Sequence, residues 1–168
     1  MSFGRPTLWI FFGLPASGKS TLAEKVAGAL FMPLFQSDHV RKLDPDFSGE
    51  GVVPFNTGMY QPAMRGRVYA KLLNLGQEQL KKGKSVALDA TFSDAKWRQA
   101  AIRLAQDQNV SLIFVQCRCE SETIKKRLTQ RERASGASDA RLLHFEDMLR
   151  HFDPVEEEMQ SILLDFRG

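Results

Sequence analysis

Cysteine and long apolar runs are scarce in this sequence. Only two of the 168 residues are cysteines, Cys117 and Cys119, and their spacing is too tight for an ordinary disulfide, so we expect both thiols to be reduced. No stretch approaches the ~20 apolar residues that span a bilayer, and the N-terminus lacks the basic start and long apolar segment of a signal peptide. These absences argue against a secreted or membrane protein. They predict a cytoplasmic one, with neither a disulfide partner nor a membrane partner.

An excess of one charge sign is also missing. The 23 lysines and arginines nearly balance the 20 aspartates and glutamates, which leaves a formal net charge of +3. Charge alone therefore does not indicate nucleic-acid binding. Basic residues do cluster at 81–84 and 125–133, but such runs are usually solvated faces of helices. The three histidines show no ligand spacing, so we expect none of them to bind a metal.

What the sequence does contain is a regular alternation of strand and helix patterns. Its 168 residues, 43% of them hydrophobic, fit a single domain spanning 1–168 with a real core. The alternation predicts an α/β fold with three layers (α/β/α) and a mainly parallel five-stranded sheet covered by helices on both faces. The predicted strands cover 8–12, 34–38, 85–89, 110–115 and 161–166, with helices between them, the last two at 121–133 and 142–152.

Two further expectations concern the connections between these elements. The segment 44–58 is rich in proline and glycine, so we expect it to be irregular and to act as a functional flap. Ser93 is predicted to cap the helix that follows the third strand.

The most specific motif is G-x-x-x-x-G-K-[ST], between the first predicted strand and the first predicted helix. With the threonine that follows, it comprises Gly13, Leu14, Pro15, Ala16, Ser17, Gly18, Lys19, Ser20 and Thr21. Gly13 and Gly18 let backbone N–H groups turn inward around a polyphosphate, and the positive end of the next helix adds to the site. Lys19 reaches the outer phosphates, and Ser20 offers its hydroxyl to Mg²⁺. The motif therefore predicts binding of a nucleoside triphosphate with Mg²⁺.

Two carboxylates end predicted strands at the carboxyl edge of the sheet, where ligands bind in this class of fold. Asp38 lies at the end of the second strand and is placed to accept the proton of an attacking hydroxyl, while Arg41 could hold the acceptor. The alternative role for Asp38 is to cap the next helix. Asp89 ends the third strand, as expected of an acid that supports Mg²⁺ through its water shell. The alternatives for Asp89 are binding the acceptor and capping the loop that follows.

Arginines supply the positive charge that phosphoryl transfer calls for. Arg127 and Arg131 lie four residues apart on one predicted helix, and Arg133 lies just beyond them. We expect at least one of these side chains to swing over the phosphates as part of a lid at about 120–142. The alternative is a solvated basic helix. Arg65, off the apolar stripe of an earlier helix, is a further candidate for binding the acceptor.

In the set and order of its motifs, the chain resembles the P-loop small kinases. The resemblance is strongest to the AAA_33-type ATP-binding proteins related to polynucleotide kinase, zeta toxins and gluconate kinase. It rests on GLPASGKST at 13–21, SDHVRK at 37–42, MYQPAMRGRVYAKLL at 59–73, SVALDATF at 85–92 and the charged segment through Ser138 and Asp139. The resemblance implies a P-loop NTPase fold with ATP and Mg²⁺ as cofactors. It also implies that Asp38 is the general base, Arg41 an acceptor-side arginine and Asp89 an acid of the active-site loop.

The chain departs from this family pattern in two places. Ala16 stands where many of these kinases have glycine, which is tolerable if the φ angle there is negative, because alanine resists the left-handed region. The chain also stops just after the last predicted strand, where relatives continue into a helix, so we expect a C-terminal helix to be missing.

Together these features predict a phosphotransferase that moves the γ-phosphate of ATP to a hydroxyl of a small molecule or of a nucleic-acid end. Lys19, Asp38, Arg127 and Arg131 are the expected catalytic residues. The alternative is an ATPase or nucleotide switch that has no phosphoryl acceptor. A GTPase is disfavoured because the guanine-binding N-K-x-D motif is absent. Few aromatic residues interleave with the basic clusters, so no stacking surface for single strands is evident.

Overall fold

The fold is a parallel sheet with helices packed on it. The computed structural model of the protein describes residues 4–44, 62–135, 140–155 and 161–166. The strands in these ranges are β1 (Thr7–Phe12), β2 (Leu34–Gln36), β3 (Val86–Asp89), β4 (Ser111–Cys119) and β5 (Ser161–Phe166). The helices are α1 (Lys19–Ala29), α2 (Ser37–Lys42), α3 (Pro62–Lys81), α4 (Ala95–Asp107), α5 (Ser121–Ser135), α6 (Ala140–Leu143) and α7 (Phe145–Arg150). Neighbouring strands are parallel in the order β2-β3-β1-β4-β5, so the predicted five-stranded α/β fold is confirmed.

Strand β1 lies at the centre of the sheet and is buried on both faces. Leu8, Ile10 and Phe12 pack into a cluster with residues of α3 and α4. Phe11 points to the opposite face, where it packs with Ala23 of α1. A strand covered on both faces reads in sequence as one continuous apolar run, and the run before the glycine motif has this character.

The sheet register aligns the ends of three neighbouring strands. Phe11 of β1 pairs with Asp89 of β3, and Asp89 pairs in turn with Gln36 of β2. From β1 the chain passes to β2 on one side of the sheet, and after β3 it crosses β1 to reach β4 on the other side. The carboxyl edge beside β1 is therefore the reversal point at which such sheets bind ligands.

The second strand and the helix after it differ from the prediction. β2 ends at Gln36, and α2 begins at Ser37, so Asp38 lies in the first turn of a helix rather than at the end of a strand. Gln36 occupies the N-cap position and makes no side-chain capping bond. The prediction failed because the N-cap residue, Gln36, is not a typical capping residue, whereas Ser37 and Asp38, which are of capping type, already lie inside the helix.

Two other expectations about helices were wrong. The helix predicted at 142–152 is two short helices, α6 and α7, with the buried His144 between them. Asp94, not Ser93, is the N-cap of α4, and the Ala95 N–H donates to Asp153 Oδ2 at 2.7 Å. A distant carboxylate therefore serves as the cap that Ser93 was expected to provide.

The predicted flap at 44–58 lies outside the described residues except for Asp44. Within the described parts of the chain, no helix is long and apolar enough to cross a membrane.

Candidate functional site

The glycine motif forms a tight loop between β1 and α1. Gly13 has a φ of 145°, and a Cβ atom on it would collide with the carbonyl oxygen of Cys117. Its N–H donates to the Thr91 carbonyl at 3.2 Å, which joins this loop to the one after β3. Gly18 has a φ of 93° and directly precedes the first residue of α1. Both positions therefore need glycine for backbone reasons, and the helix directs its free N–H groups towards the loop.

Ala16 does not meet the condition expected of it. Its φ is 60°, in the left-handed region, and its side chain is buried. Its carbonyl oxygen accepts a hydrogen bond of 3.1 Å from Nη1 of Arg127. A non-glycine residue in this conformation costs roughly 1–2 kcal/mol, so the surrounding contacts hold the loop in a strained shape.

A cleft of about 390 Å³ opens beside the loop, at the carboxyl edge of the sheet. Most of the predicted site residues line it, namely Leu14, Pro15, Ala16, Gly18, Lys19, Ser20, Thr21, Asp38, Arg41, Arg65, Asp89 and Arg131. Among the residues predicted for the site, all of which the structure describes, Gly13, Ser17, Arg127 and Arg133 are not part of the lining. Side chains from β3, α1, α2, α3 and α5 thus converge on one cavity.

Asp38 and Arg41 form an ion pair on the first two turns of α2. The distance between Arg41 Nη2 and Asp38 Oδ1 is 2.9 Å, and the Asp38 side chain is about half exposed while that of Arg41 is mostly buried. The N-cap alternative for Asp38 is wrong, because Gln36 holds that position. The carboxylate therefore lines the cleft with the Arg41 guanidinium beside it.

Asp89 is buried at the end of β3 with one of its two carboxylate oxygens unsatisfied. Its Oδ2 accepts a hydrogen bond of 3.1 Å from Gln36 Nε2, whereas its Oδ1 is buried without a hydrogen-bond partner. Asp89 consequently does not cap the loop that follows it. A buried carboxylate oxygen left without a donor is costly, and a hydrated Mg²⁺ is the kind of ligand that would satisfy it. Because Ser20 lines the same cleft, the residues present fit a magnesium ion.

The three arginines of α5 occupy different environments. Arg131 is exposed and lines the cleft. Arg127 is partly buried, with Nη1 bonded to the Ala16 carbonyl and 3.7 Å from Cys119 Sγ. Arg133 is exposed outside the cleft lining. In this structure Arg131 faces the ligand space, and Arg127 supports the loop from behind.

Tyr69 and Arg98 belong to the site region, although the sequence reading did not single them out. The Tyr69 hydroxyl accepts a hydrogen bond of 2.8 Å from the Phe92 N–H and lies 3.1 Å from Thr91 Oγ1. Its ring stacks on Trp97 at 5.0 Å, and burial raises the pKa of the phenol to about 12. Arg98 is almost fully buried and bonds backbone carbonyls. Hydrogen bonds to backbone groups leave no pattern in a sequence. Only the periodic positions of Tyr69 on α3 and Arg98 on α4 indicated that these side chains could be buried.

Comparison with known proteins places this architecture in a family. Residues 8–155 match the model of the AAA domain family AAA_33. An uncharacterized protein of Mycobacterium tuberculosis (strain ATCC 25618 / H37Rv) is 34% identical over 131 residues, which is 76% of this chain and 26% of the relative. The chain thus spans about a quarter of the length of the curated relatives it matches.

Two solved structures show the same fold at low identity. One is a protein from Chloroflexus aurantiacus, with a TM-score of 0.76 and 18% identity, covering 96% of this chain and 88% of that one. The other is the Mycobacterium tuberculosis APS kinase CysC in complex with AMPPNP and APS, with a TM-score of 0.65 and 19% identity, covering 96% and 89%. This chain therefore belongs to the AAA_33 family of AAA domains and has the fold of the P-loop small kinases.

Proposed function

We propose that this protein is an ATP-dependent phosphotransferase that moves the γ-phosphate of ATP to a hydroxyl group. The observation that carries the proposal is the convergence of two sets of groups on one cleft. Lys19 and Ser20 of the phosphate-binding loop form one set, and Asp38, Arg41 and Arg65 form the other. The second set lies beyond the groups that bind the nucleotide phosphates and supplies a carboxylate and two cations for a second substrate.

The proposed reaction is a single displacement at the γ-phosphorus. The acceptor hydroxyl attacks and passes its proton to the Asp38 carboxylate as the new O–P bond forms. The bond between the γ-phosphorus and the bridging oxygen breaks, and ADP leaves with that electron pair. Lys19 and Arg131 stabilise the negative charge that spreads over the phosphoryl oxygens.

Magnesium would be held between the loop and the sheet edge. Ser20 would offer its hydroxyl to the ion, and the unsatisfied Oδ1 of Asp89 would accept a hydrogen bond from the water shell of the ion. The ion, when bound, offsets charge on the β- and γ-phosphates. Asp89 serves the metal rather than the acceptor in this proposal, since its other oxygen is already bonded to Gln36.

The acceptor half of the cleft combines charge with apolar surface. Arg41 and Arg65 line it together with Val68, Met148 and Phe152. Such a surface suits a hydroxylated molecule that also carries a polar or anionic group. Transfer of labelled γ-phosphate from ATP into a panel of sugars, nucleosides, antibiotics and oligonucleotides tests this directly. Labelled inorganic phosphate with no labelled acceptor would support the acceptor-free ATPase instead.

Asp38→Asn tests the general base. We expect turnover with a proven acceptor to fall by about 10²–10⁴-fold, because the amide cannot take the hydroxyl proton. Nucleotide affinity should stay within roughly twofold, because the phosphates are held by the loop. Single-turnover kinetics and nucleotide titration measure the two quantities separately.

Asp107→Asn is the matched control for this substitution. Asp107 is an exposed carboxylate at the end of α4 and is not part of the cleft lining, so its neutralisation should leave turnover unchanged. Equal turnover in the Asp38→Asn variant and the wild type would remove Asp38 from the mechanism.

A further inference from the structure

One wall of the cleft is built from two segments that lie far apart in the chain. Thr91 and Ser93 come from the loop after β3, and His151 and Phe152 come from the segment after α7. We call these two segments, 91–93 and 151–154, the two-segment wall. No strand or helix contains either segment, so the wall depends on side chains and single hydrogen bonds for its shape.

A single buried guanidinium joins the two segments. Arg98 Nη1 donates to the carbonyl oxygens of Phe92 at 2.7 Å and Ser93 at 3.0 Å. Its Nη2 donates to the carbonyl oxygens of Asp153 at 3.1 Å and Pro154 at 2.7 Å. The Arg98 side chain is 2% exposed. The fork of an arginine suits this task, because its planar donors diverge towards two different acceptors at fixed geometry.

Asp153 makes further hydrogen bonds that join the second segment to the first segment and to the start of α4. The Asp153 N–H donates to the Ser93 carbonyl at 2.9 Å, and Asp153 Oδ2 accepts from the Ala95 N–H at 2.7 Å. The Phe152 ring, which lines the cleft, lies with its centroid 5.9 Å from Cζ of Arg98. The guanidinium thus supports the cleft surface directly as well as through the backbone.

The wall also contains a strained residue, which Arg98 helps to hold. Phe92 is fully buried and has a φ of 45°, a conformation that is rare for a bulky side chain. Its N–H is held by the Tyr69 hydroxyl and its carbonyl by Arg98. Strain of this kind persists only where the surroundings fix the backbone from several sides.

From these contacts we infer that Arg98 is a positioning residue for the acceptor side of the cleft. Arg98 is not part of the cleft lining, but it fixes the two-segment wall against which the acceptor would bind. Its loss should loosen the wall and leave the phosphate-binding loop nearly intact. The statement about the wall stands on the contacts alone, whereas the statement about the acceptor rests on the proposed function.

The first test measures the wall without any acceptor. Arg98→Ala removes the guanidinium, and Arg98→Lys keeps the charge but replaces the fork by one nitrogen that cannot reach all of these carbonyls. We expect the Ala95 and Asp153 amides to exchange hydrogen roughly tenfold faster or more in either variant, since local opening becomes easier. Millimolar guanidinium should restore protection in Arg98→Ala, and an equal concentration of ammonium should not. Arg103→Ala, an exposed arginine on the same helix, is the control and should show no change.

The second test uses kinetics. With an acceptor in hand, we expect the acceptor KM to rise about tenfold in Arg98→Lys while the ATP KM stays within about twofold, because only acceptor binding is disturbed. Guanidinium should lower the acceptor KM of Arg98→Ala again. Equal increases in both KM values would indicate a general structural role and overturn the positioning role.

The two tests separate failure of the inference from failure of the proposed function. Unchanged exchange at Ala95 and Asp153 in the folded Arg98→Lys variant would refute the role of Arg98 in the wall, whatever the enzyme does. If the wild type phosphorylates no acceptor, the proposed function fails, but the exchange experiment still decides whether Arg98 holds the wall. If Arg98→Ala does not fold, Arg98→Lys carries both measurements.

Discussion

Ala16 shows how one residue can carry strain inside a motif that the sequence identifies without difficulty. The motif predicted the loop correctly because its glycines and flanking apolar residues are local signals. The φ of 60° at Ala16 was not foreseen, because alanine resists the left-handed region and was expected to adopt a negative φ. The Arg127 bond to the Ala16 carbonyl joins residues more than a hundred positions apart.

Substituting glycine at position 16 tests this strain. Relief of the left-handed penalty, roughly 1–2 kcal/mol, should offset the loss of one buried methyl group at about 0.8 kcal/mol. Ala16→Gly should therefore change the free energy of unfolding little. Ala70→Gly, in an exposed part of α3, should lower it by about 1 kcal/mol. Urea denaturation of both variants provides the comparison, and an equal loss at the two positions would contradict a strained Ala16.

At the scale of an element, the arginines of α5 lie in different environments, and the proposed function gives them different roles. Arg127→Ala removes a partly buried hydrogen bond to the loop, so we expect the free energy of unfolding to fall by about 1–2 kcal/mol. Arg131→Ala removes a cation at the open cleft and should leave stability within about 0.5 kcal/mol. The turnover of this variant should nevertheless fall by at least roughly tenfold, because a cation that stabilises negative charge in the transition state is lost.

Arg133→Ala is the control within the same helix. Arg133 is exposed and outside the cleft lining, so both stability and turnover should match the wild type. Chemical denaturation should show a loss of stability only in Arg127→Ala among the three variants. Steady-state kinetics should show a lower turnover in Arg131→Ala and an unchanged one in Arg133→Ala. A large loss of turnover in Arg133→Ala with none in Arg131→Ala would show that the arginines exchange roles when nucleotide binds.

Elements were predictable where the local pattern was strong. β1, α1, α3 and β3 lie where apolar periodicity and glycine or strand-end signals placed them. The boundary between β2 and α2 could not be predicted, because a three-residue strand is too short to show alternation and Gln36 is not a typical capping residue. The break at His144 was missed because the apolar residues before and after it keep a helical spacing in the sequence, although the chain forms two helices.

At the scale of the whole molecule, the parallel sheet could be predicted but the details of the cleft could not. Alternation of strands and helices implies parallel pairing, and parallel pairing places strand ends on one edge. This is how Asp38 and Asp89 could be assigned to the cleft before the structure was known. The segment after α7 brings His151 and Phe152 to the cleft. Its position depends on tertiary packing and on hydrogen bonds from Arg98 to backbone carbonyls, which the sequence does not reveal.

The free energy of unfolding at high pH should depend on two buried weak acids, the phenol of Tyr69 and the thiol of Cys117. Burial raises the pKa of Tyr69 from 10.0 to about 12 and that of Cys117 from 9.0 to about 11. The unfolded chain loses these protons first, so the folded state loses stability as the pH rises through 9–12.

Tyr69→Phe isolates the tyrosine contribution. The variant should be less stable near neutral pH, because the Phe92 N–H loses its acceptor. Between pH 10 and 12 its stability should decline less steeply than that of the wild type, by up to about 1 kcal/mol per pH unit. Urea denaturation across this range measures both slopes. Parallel slopes would mean that Tyr69 titrates normally in the folded protein.

The hydrogen bond from the Gly13 N–H to the Thr91 carbonyl bears on how two ligands would influence each other. It joins the proposed phosphate-binding loop to a residue of the two-segment wall, so ordering either side limits the freedom of the other. Linkage makes any such coupling reciprocal. The factor by which a bound nucleotide strengthens acceptor binding must equal the factor by which a bound acceptor strengthens nucleotide binding, and the two ligands would then favour loading together over loading alone.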